Sequence, residues 1–379
     1  MKIVAVAMIL LGSLIAGRDA LAVPEAARYG HFTCVSCHVS PGGSGVLTSY
    51  GRMFAADKLS TWHFDGEENP LHGLVPVSDR YLLGGDIRWA DYRQKSDATT
   101  FEKFWRMQSD IEAGVHVGNV WVTATGGTKP AGPTDRPEDT RKPVVRGYLA
   151  RVDLLQEHLV LRGGLFLPKY GLMLSDHTAW VRTITGLGPD KEQTQLEAIY
   201  QDDALEVSLA ALVKDRSFDR ENQSKSGVNA GAAVMFDNRH RLSANVLQTH
   251  LTSQAGTSDM LAFGVSSVVT YTRRLFSMLE VDRAATAFKA VDGSTSTRVE
   301  VAAFGTLSYE TYRGILPYGR LEYRSTHAGD IQTHARRWGA GLNWYVRPHV
   351  QVDGRVLRSS SSASDAEQDE STLILHYYF

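Results

Sequence analysis

The chain has 379 residues, 43% of them hydrophobic and 22% charged, with a formal net charge of −2. That balance excludes a wholly disordered chain, and without an excess of Lys and Arg it argues against a nucleic-acid partner. A slightly negative mean hydropathy excludes a bundle of membrane helices. A membrane β-barrel stays open, because only alternate residues of its strands need be apolar.

The amino terminus reads as an export signal. Lys2 supplies the positive charge, Ile3 to Ala16 the apolar stretch, and Ala20-Leu21-Ala22 a small-x-small cleavage site. Residues 1–22 are therefore expected to be removed. A retained helical anchor would need roughly 20 apolar residues, and Arg18-Asp19 cut the run short.

Residues 23–80 lack strand alternation and contain both cysteines, in the run Cys34-Val35-Ser36-Cys37-His38. Two thiols at this spacing can take up the two vinyl groups of one haem, and the adjacent histidine can ligate the iron from one face. A disulfide or a C-x-x-C redox pair is the competing reading in an oxidising compartment. Neither accounts for His38, and a zinc site would need further Cys or His at regular spacing. The expected cofactor is one covalent haem c, on Cys34 and Cys37, with His38 as proximal ligand.

After the motif, Val39 to Gly45 can only be an irregular turning loop, and Leu47 to Phe54 returns to side chains large enough to cover a haem face. Arg52 is a candidate partner for a haem propionate, with a solvated arginine as the alternative. The distal ligand is open among His31, Met53, His63 and His72. His72 and His63 are favoured, because His31 is tethered three residues before Cys34. A segment this short buries little core, so it is expected to pack into or against the rest of the chain.

From Tyr81 to Phe379 the pattern has period two. Val207, Leu209, Ala211 and Val213 alternate with Glu206, Ser208 and Ala210, and Tyr148, Ala150, Val152 and Leu154 alternate with Gly147, Arg151 and Asp153. The face opposite the aliphatics includes Asp86, Arg88, Arg106, Asp110, Glu112, Glu280, Asp282, Arg298, Glu300, Arg320, Glu322 and Arg324. One wet and one apolar face suit either a soluble sandwich or a membrane barrel with a polar lumen.

The connections favour the barrel. Tight turns are expected near Gly118-Asn119, Gln156-Glu157-His158, Asp202-Asp203, Asp237-Asn238-Arg239, Arg273-Arg274, Arg313-Gly314 and Arg347-Pro348. They alternate with longer connections at Gly126 to Lys142, Lys169 to Glu192, Lys214 to Gly227 and Ser359 to Glu370. Lys169 to Glu192 is expected as an exposed loop, with an inward-folded constriction as the alternative. The fold expected is all-β, a transmembrane antiparallel barrel of about 16 strands of roughly ten residues over 81–379. Trp89, Trp105, Trp338 and Trp344 are candidates for its interfacial girdles. Leu373, Leu375, Tyr377 and Phe379 fall on one face, and a terminal phenylalanine after alternating apolar residues resembles the assembly signal of bacterial outer-membrane proteins.

The early C-x-x-C-H, the Pro/Gly-rich stretch leading to Tyr50-Gly51-Arg52 and the porin-sized barrel together resemble the fused monohaem c-type cytochrome–porins of bacterial outer membranes, the outer-membrane cytochromes of iron-oxidising bacteria among them. The resemblance implies electron transfer between an extracellular donor or acceptor, such as ferrous iron, and a periplasmic electron-carrier protein. The barrel would sit in outer-membrane lipid, with the haem segment on the periplasmic side or in the lumen. Cys34, Cys37 and His38 carry over directly. The alternative is a solute-conducting porin whose haem segment is a structural plug or redox gate. A third reading, an enzyme using an open haem position, has no nucleophile–base constellation beside it, and no catalytic residue is assigned.

Overall fold

The computed structural model describes residues 24–30, 34–40, 46–76, 78, 80–96, 99–128, 132, 143–176, 178–188, 191–213, 224–329 and 331–379. The expected leader and His31 lie outside these residues. Sixteen antiparallel strands form one closed barrel, each paired with its neighbours in sequence and the first with the last. They are β1 (Tyr81–Ser96), β2 (Thr100–Val117), β3 (Val120–Thr128), β4 (Pro143–Leu154), β5 (Leu159–Phe166), β6 (Gln193–Gln201), β7 (Leu205–Leu212) and β8 (Ser224–Phe236). The second half continues as β9 (His240–Ser253), β10 (Gly256–Thr270), β11 (Leu275–Ala290), β12 (Thr295–Tyr309), β13 (Ile315–Ala328), β14 (Ile331–Arg347), β15 (Val350–Ser361) and β16 (Ser364–Tyr378).

Alternation decides which way each side chain points. Glu206, Ser208 and Ala210 are buried while Val207 and Leu209 are exposed. A barrel interior is filled with side chains, so its wet face reads as buried and its apolar face as exposed, the reverse of a soluble protein. Closure satisfies every strand edge, which a lipid-immersed sheet requires. Among the described residues no helix is long and apolar enough to cross a membrane; the chain crosses with strands.

All seven expected tight turns are present and lie at one end of the barrel. Left-handed backbone at Gly118, Asp237, Asn238 and His349 gives several of them the φ that short hairpin turns need. Three expectations fail. Ser359 to Glu370 is not a long loop, because β15 and β16 stay paired out to Ser361 opposite Ser364. The strand ends reaching past the bilayer are as polar as a loop. A register shift between Arg88 and Trp89 interrupts the β1–β2 ladder. A bulge changes which face the following residues occupy. Arg106 is consequently exposed on the outer surface. Trp105 lies opposite Ala90, 6.3 Å from the lumen-facing Tyr92, and belongs to no girdle.

The described residues between 24 and 60 enter the lumen at the short-turn end. A 3₁₀ turn, Pro24–Tyr29, packs against β9, β10 and β11. The motif follows as a second 3₁₀ turn, Cys34–Ser36, and an antiparallel bridge joins His38 to Leu47. Helix α1 (Ser49–Phe54) starts where Thr48 Oγ1 accepts the Gly51 N–H at 3.1 Å. Such a cap stabilises a helix by about 1 kcal/mol. The chain continues as a π turn, Ala55–Leu59, and ends at Ser60, whose N–H reaches Ala55 O at 2.9 Å. It then crosses the barrel rim, where Thr61 and Trp62 donate to the carbonyls of Tyr345 and Val346. The segment has little core of its own. Ala26, Cys37, Phe54 and Leu59 share one apolar cluster with Phe276, Leu316 and Tyr345 of the barrel, and Val39 and Val46 share another with Leu82, Leu149 and Phe166.

The connection between β5 and β6 overturns its expectation as an exposed loop. Residues 167–176 and 178–188 fold into the lumen with a short helix, α2 (Trp180–Ile184). Leu172, Ala179, Val181, Ile184 and Leu187 bury against Leu247, Ala262, Ala284 and Phe304 of the wall. Each of the larger aliphatics contributes roughly 1.5–3 kcal/mol, which outweighs the gain from exposing the loop to water.

Candidate functional site: a lumen cavity

Between the segment and the inward loop lies a cavity of about 300 Å³. Cys37, His38, Leu47, Gly51, Phe54, Ala55 and Leu59 form its floor, and Met173, Leu174, Ser175 and Asp176 its roof. The strand wall adds apolar Phe276, Phe304 and Leu316 and polar Arg88, Tyr318, Arg320 and Arg355.

The motif is held by its backbone. Arg151 Nη1 donates to the carbonyls of Val35 and His38, each at 3.1 Å, while the same guanidinium is fixed by Asp153 at 2.6 Å. From the other side Thr48 N–H reaches Cys37 O at 2.8 Å, and Thr48 Oγ1 donates to Ser36 O at 2.6 Å. Helix α1 lies close beneath: a Cβ added at Gly51 would stand 2.5 Å from the Cys37 carbonyl oxygen. Only glycine lets the two backbones approach this far. Cys37 and Val35 are buried, and Val35 packs on Val160 and Ile199.

The sequence candidates separate. Cys37 and His38 face the cavity. His63 and His72 do not line it. His63 Nε2 stands 3.3 Å from Asp57 Oδ1. His72 is packed edge-on against His349 at 5.0 Å, beside Tyr377. Met53 is exposed on the far side of α1. Arg52 is buried but turned into the segment, donating to Leu47 O at 2.9 Å and Ser49 Oγ at 3.1 Å. Arg88, Arg320 and Arg355 line the cavity wall instead, Arg88 paired with Asp86 and the other two with Asp176. No local pattern brings them to this wall, because they lie 36 to over 300 residues further along the chain than Arg52. Among the described residues no group of three or more His, Cys, Asp or Glu is arranged to hold a bare metal ion.

The roof is pinned by ion pairs. Asp176 Oδ2 meets Arg320 Nη1 at 2.5 Å and Arg355 Nη1 at 2.9 Å. Trp180 N–H reaches Glu322 Oε2 at 2.8 Å, and Arg337 donates to Thr178 O at 2.8 Å. On the opposite wall Gly171 N–H reaches Asn245 Oδ1 at 3.1 Å and Leu172 N–H reaches Glu280 Oε2 at 2.9 Å. Arg162–Glu197 and Lys169–Glu206 pairs complete the charged interior. At the rim, burial pushes the Tyr29 hydroxyl above its ordinary pKa, the neighbouring Glu310 adding to the effect.

Fold and lining together define a class: a sixteen-stranded barrel of the bacterial outer membrane, with a lipid-facing apolar exterior and an occupied polar lumen. Solved structures bear out the architecture. OmpT of Vibrio cholerae superposes with a TM-score of 0.58 at 12% identity, over 81% of this chain and 100% of that one. The outer-membrane channel DcaP of Acinetobacter baumannii gives 0.54 at 15%, over 79% and 97%. The anion-selective porin from Comamonas acidovorans gives 0.53 at 9%, over 79% and 99%. At these identities the likeness is one of fold. No protein-family model and no curated protein matches the sequence.

Proposed function

We propose that the chain is an outer-membrane monohaem cytochrome–porin that carries electrons between an extracellular donor or acceptor, such as ferrous iron, and a periplasmic carrier protein. The observation that carries this reading is the placement of Cys37 and His38 on the lining of a cavity inside the barrel lumen. The chemistry of the lining supports a haem: a thiol and an imidazole on its floor, apolar side chains for the macrocycle, and arginines, here paired with Asp86 and Asp176, whose carboxylates the propionates would replace. Its volume falls at the lower end of ligand-binding cavities. A haem held there supplies reversible one-electron redox chemistry.

The protein's residues provide the rest. Cys34 and Cys37 would carry the thioethers, and His38 the proximal nitrogen. Arg151 and Thr48 fix the motif from both sides, and Phe54 and Leu59 exclude water from below. Short turns mark the periplasmic end of outer-membrane barrels, which puts the segment at that mouth. Gly51, Phe54, Ala55 and Leu59 face the cavity, whereas Tyr50, Met53 and Asp57 are exposed on the opposite side of the same helical stretch. One helix diameter, about 10 Å, then separates the cavity from a docked carrier. The bilayer core of about 30 Å is thus shortened from below.

Liposomes carrying the protein and an enclosed redox dye test the reading. Dye oxidation or reduction from outside should persist when solute flux is blocked and vanish in Cys34→Ala/Cys37→Ala. Wild-type protein without covalent haem would sink it. The second reading, a porin with the segment as plug or redox gate, rests on the way the described residues between 24 and 60 pack inside the short-turn mouth and on barrels of like fold that are named as channels and porins. Solute flux that requires reduction, with no electron transfer across a closed pore, would establish it instead.

A further inference from the structure

The haem reading leaves the second axial position unassigned, and the cavity narrows the choice. The His and Met side chains lining it are His38, His376, Met107, Met173 and Met278. His376 belongs to the β16 wall and not to the roof; its Nδ1 is 2.8 Å from Gln351 Oε1, and its Nε2, 3.2 Å from Asp86 Oδ1, completes no hydrogen bond. Met107 and Met278 project from the strand wall, and Met278 packs against the apolar clusters of both the floor and the roof. Met173 alone belongs to the roof.

The strands measure the spacing of floor and roof. The segment packs on Phe276 and Leu316, whereas the loop is held by Glu280 and Arg320, four residues further along the same two strands. At about 3.3 Å per residue and a tilt near 40° this places the roof roughly 10 Å above the floor along the barrel axis. Such a gap suits a macrocycle with one ligand from each side.

Met173 is also held as a ligand would be. It lies between the anchors at Gly171–Asn245 and Leu172–Glu280 and the anchor at Asp176–Arg355. Its φ of +53° is left-handed, a conformation uncommon outside glycine that the surroundings must enforce. The Tyr170 N–H approaches its sulfur at 3.2 Å. Arg182 Nη1 approaches the same sulfur at 3.9 Å, so ligation to iron would replace this longer contact.

We infer that Met173 is the distal haem ligand, so that the inward loop closes the cofactor site from above and the iron has a His38/Met173 axial pair. The inference rests on the haem reading of the preceding section. A Met/His pair raises the reduction potential relative to other ligation, which suits exchange with a high-potential donor.

The test uses full-length protein matured with covalent haem, confirmed by haem staining after denaturation, with barrel folding checked by heat-modifiable electrophoretic mobility. Oxidised wild type should be low-spin and show the weak near-infrared sulfur-to-iron band. Met173→Leu should lose that band, bind added imidazole or cyanide and have a lower potential. Met173→His should return to low spin without the band. Covalent haem with the band retained in Met173→Leu, absent from the wild type, or lost only in Met107→Leu or Met278→Leu overturns the assignment alone. A wild-type chain without covalent haem overturns the haem reading and the assignment together.

Discussion

Arg28 and Glu310 form a paired hydrogen-bonded ion pair, at 3.0 and 3.2 Å, between the first turn of the amino-terminal segment and the β12–β13 hairpin. Both side chains are almost wholly buried, at 0% and 9% exposure. The pair joins residues 282 positions apart and sets where the segment enters the barrel. Removing one partner from a buried pair leaves the other charge uncompensated, at about 3–5 kcal/mol. Arg28→Ala should therefore loosen residues 24–30 without unfolding the barrel. Hydrogen exchange of those amides should speed up by orders of magnitude while strand amides stay protected, and unchanged exchange would refute the role.

Gly51 has no room for a side chain against Cys37 O. Gly51→Ala should push α1 away from the motif, a strain of about 1–3 kcal/mol for overpacking. Haem stain per folded barrel should fall relative to wild type, and equal incorporation would count against the contact.

Asp176 holds the roof to both Arg320 and Arg355. Asp176→Ala leaves Arg320 with Glu322 and Arg355 with Asp353 only, and should release the loop from β13 and β15 at a cost of at most about 3–5 kcal/mol. Single-channel conductance in planar bilayers should rise and become more anion-selective. A pore as closed as wild type would show that the apolar cluster alone keeps the loop in place.

His349, in the β14–β15 turn, donates through Nε2 to the carbonyls of Glu67 and Asn69, at 2.7 and 3.0 Å. Its surroundings include His72, Tyr377 and Tyr378, with Arg347 paired to Glu67 nearby. Burial, and then the neighbouring His72, hold its pKa below the ordinary 6.5. Because the released chain takes up the proton first, docking of residues 64–76 is at full strength above pH 6.5. It weakens as pH falls below that value. Protease cleavage within 64–76 should increase at acid pH in wild type, and His349→Gln should flatten the dependence. A wild-type profile that does not change with pH would refute it.

Much of the fold was readable because a barrel repeats one rule: alternate residues face lipid or lumen, and hairpin turns announce themselves in Asp-Asn, Gly-Asn and Arg-Pro. That rule placed sixteen strands and all seven tight turns. It failed at Arg106 and Trp105, where one bulged residue reverses the faces, and at Ser359 to Glu370, where polar strand looks like loop. Local spacing likewise made Cys34, Cys37 and His38 a candidate site, since attachment chemistry needs only neighbours.

What surrounds that motif was decided by tertiary structure alone. The strand wall brings Arg151, Arg320 and Arg355 to it from hundreds of residues away or nearly so, and the apolar residues of 167–188 pull Met173 into the lumen instead of leaving a surface loop. His63 and His72, close to the motif in sequence, are carried over the rim and away from the cavity by the path through Thr61 and Trp62. Short-range spacing specifies what a segment can bind. Which distant side chains complete the site depends on barrel closure, and no local pattern encodes that.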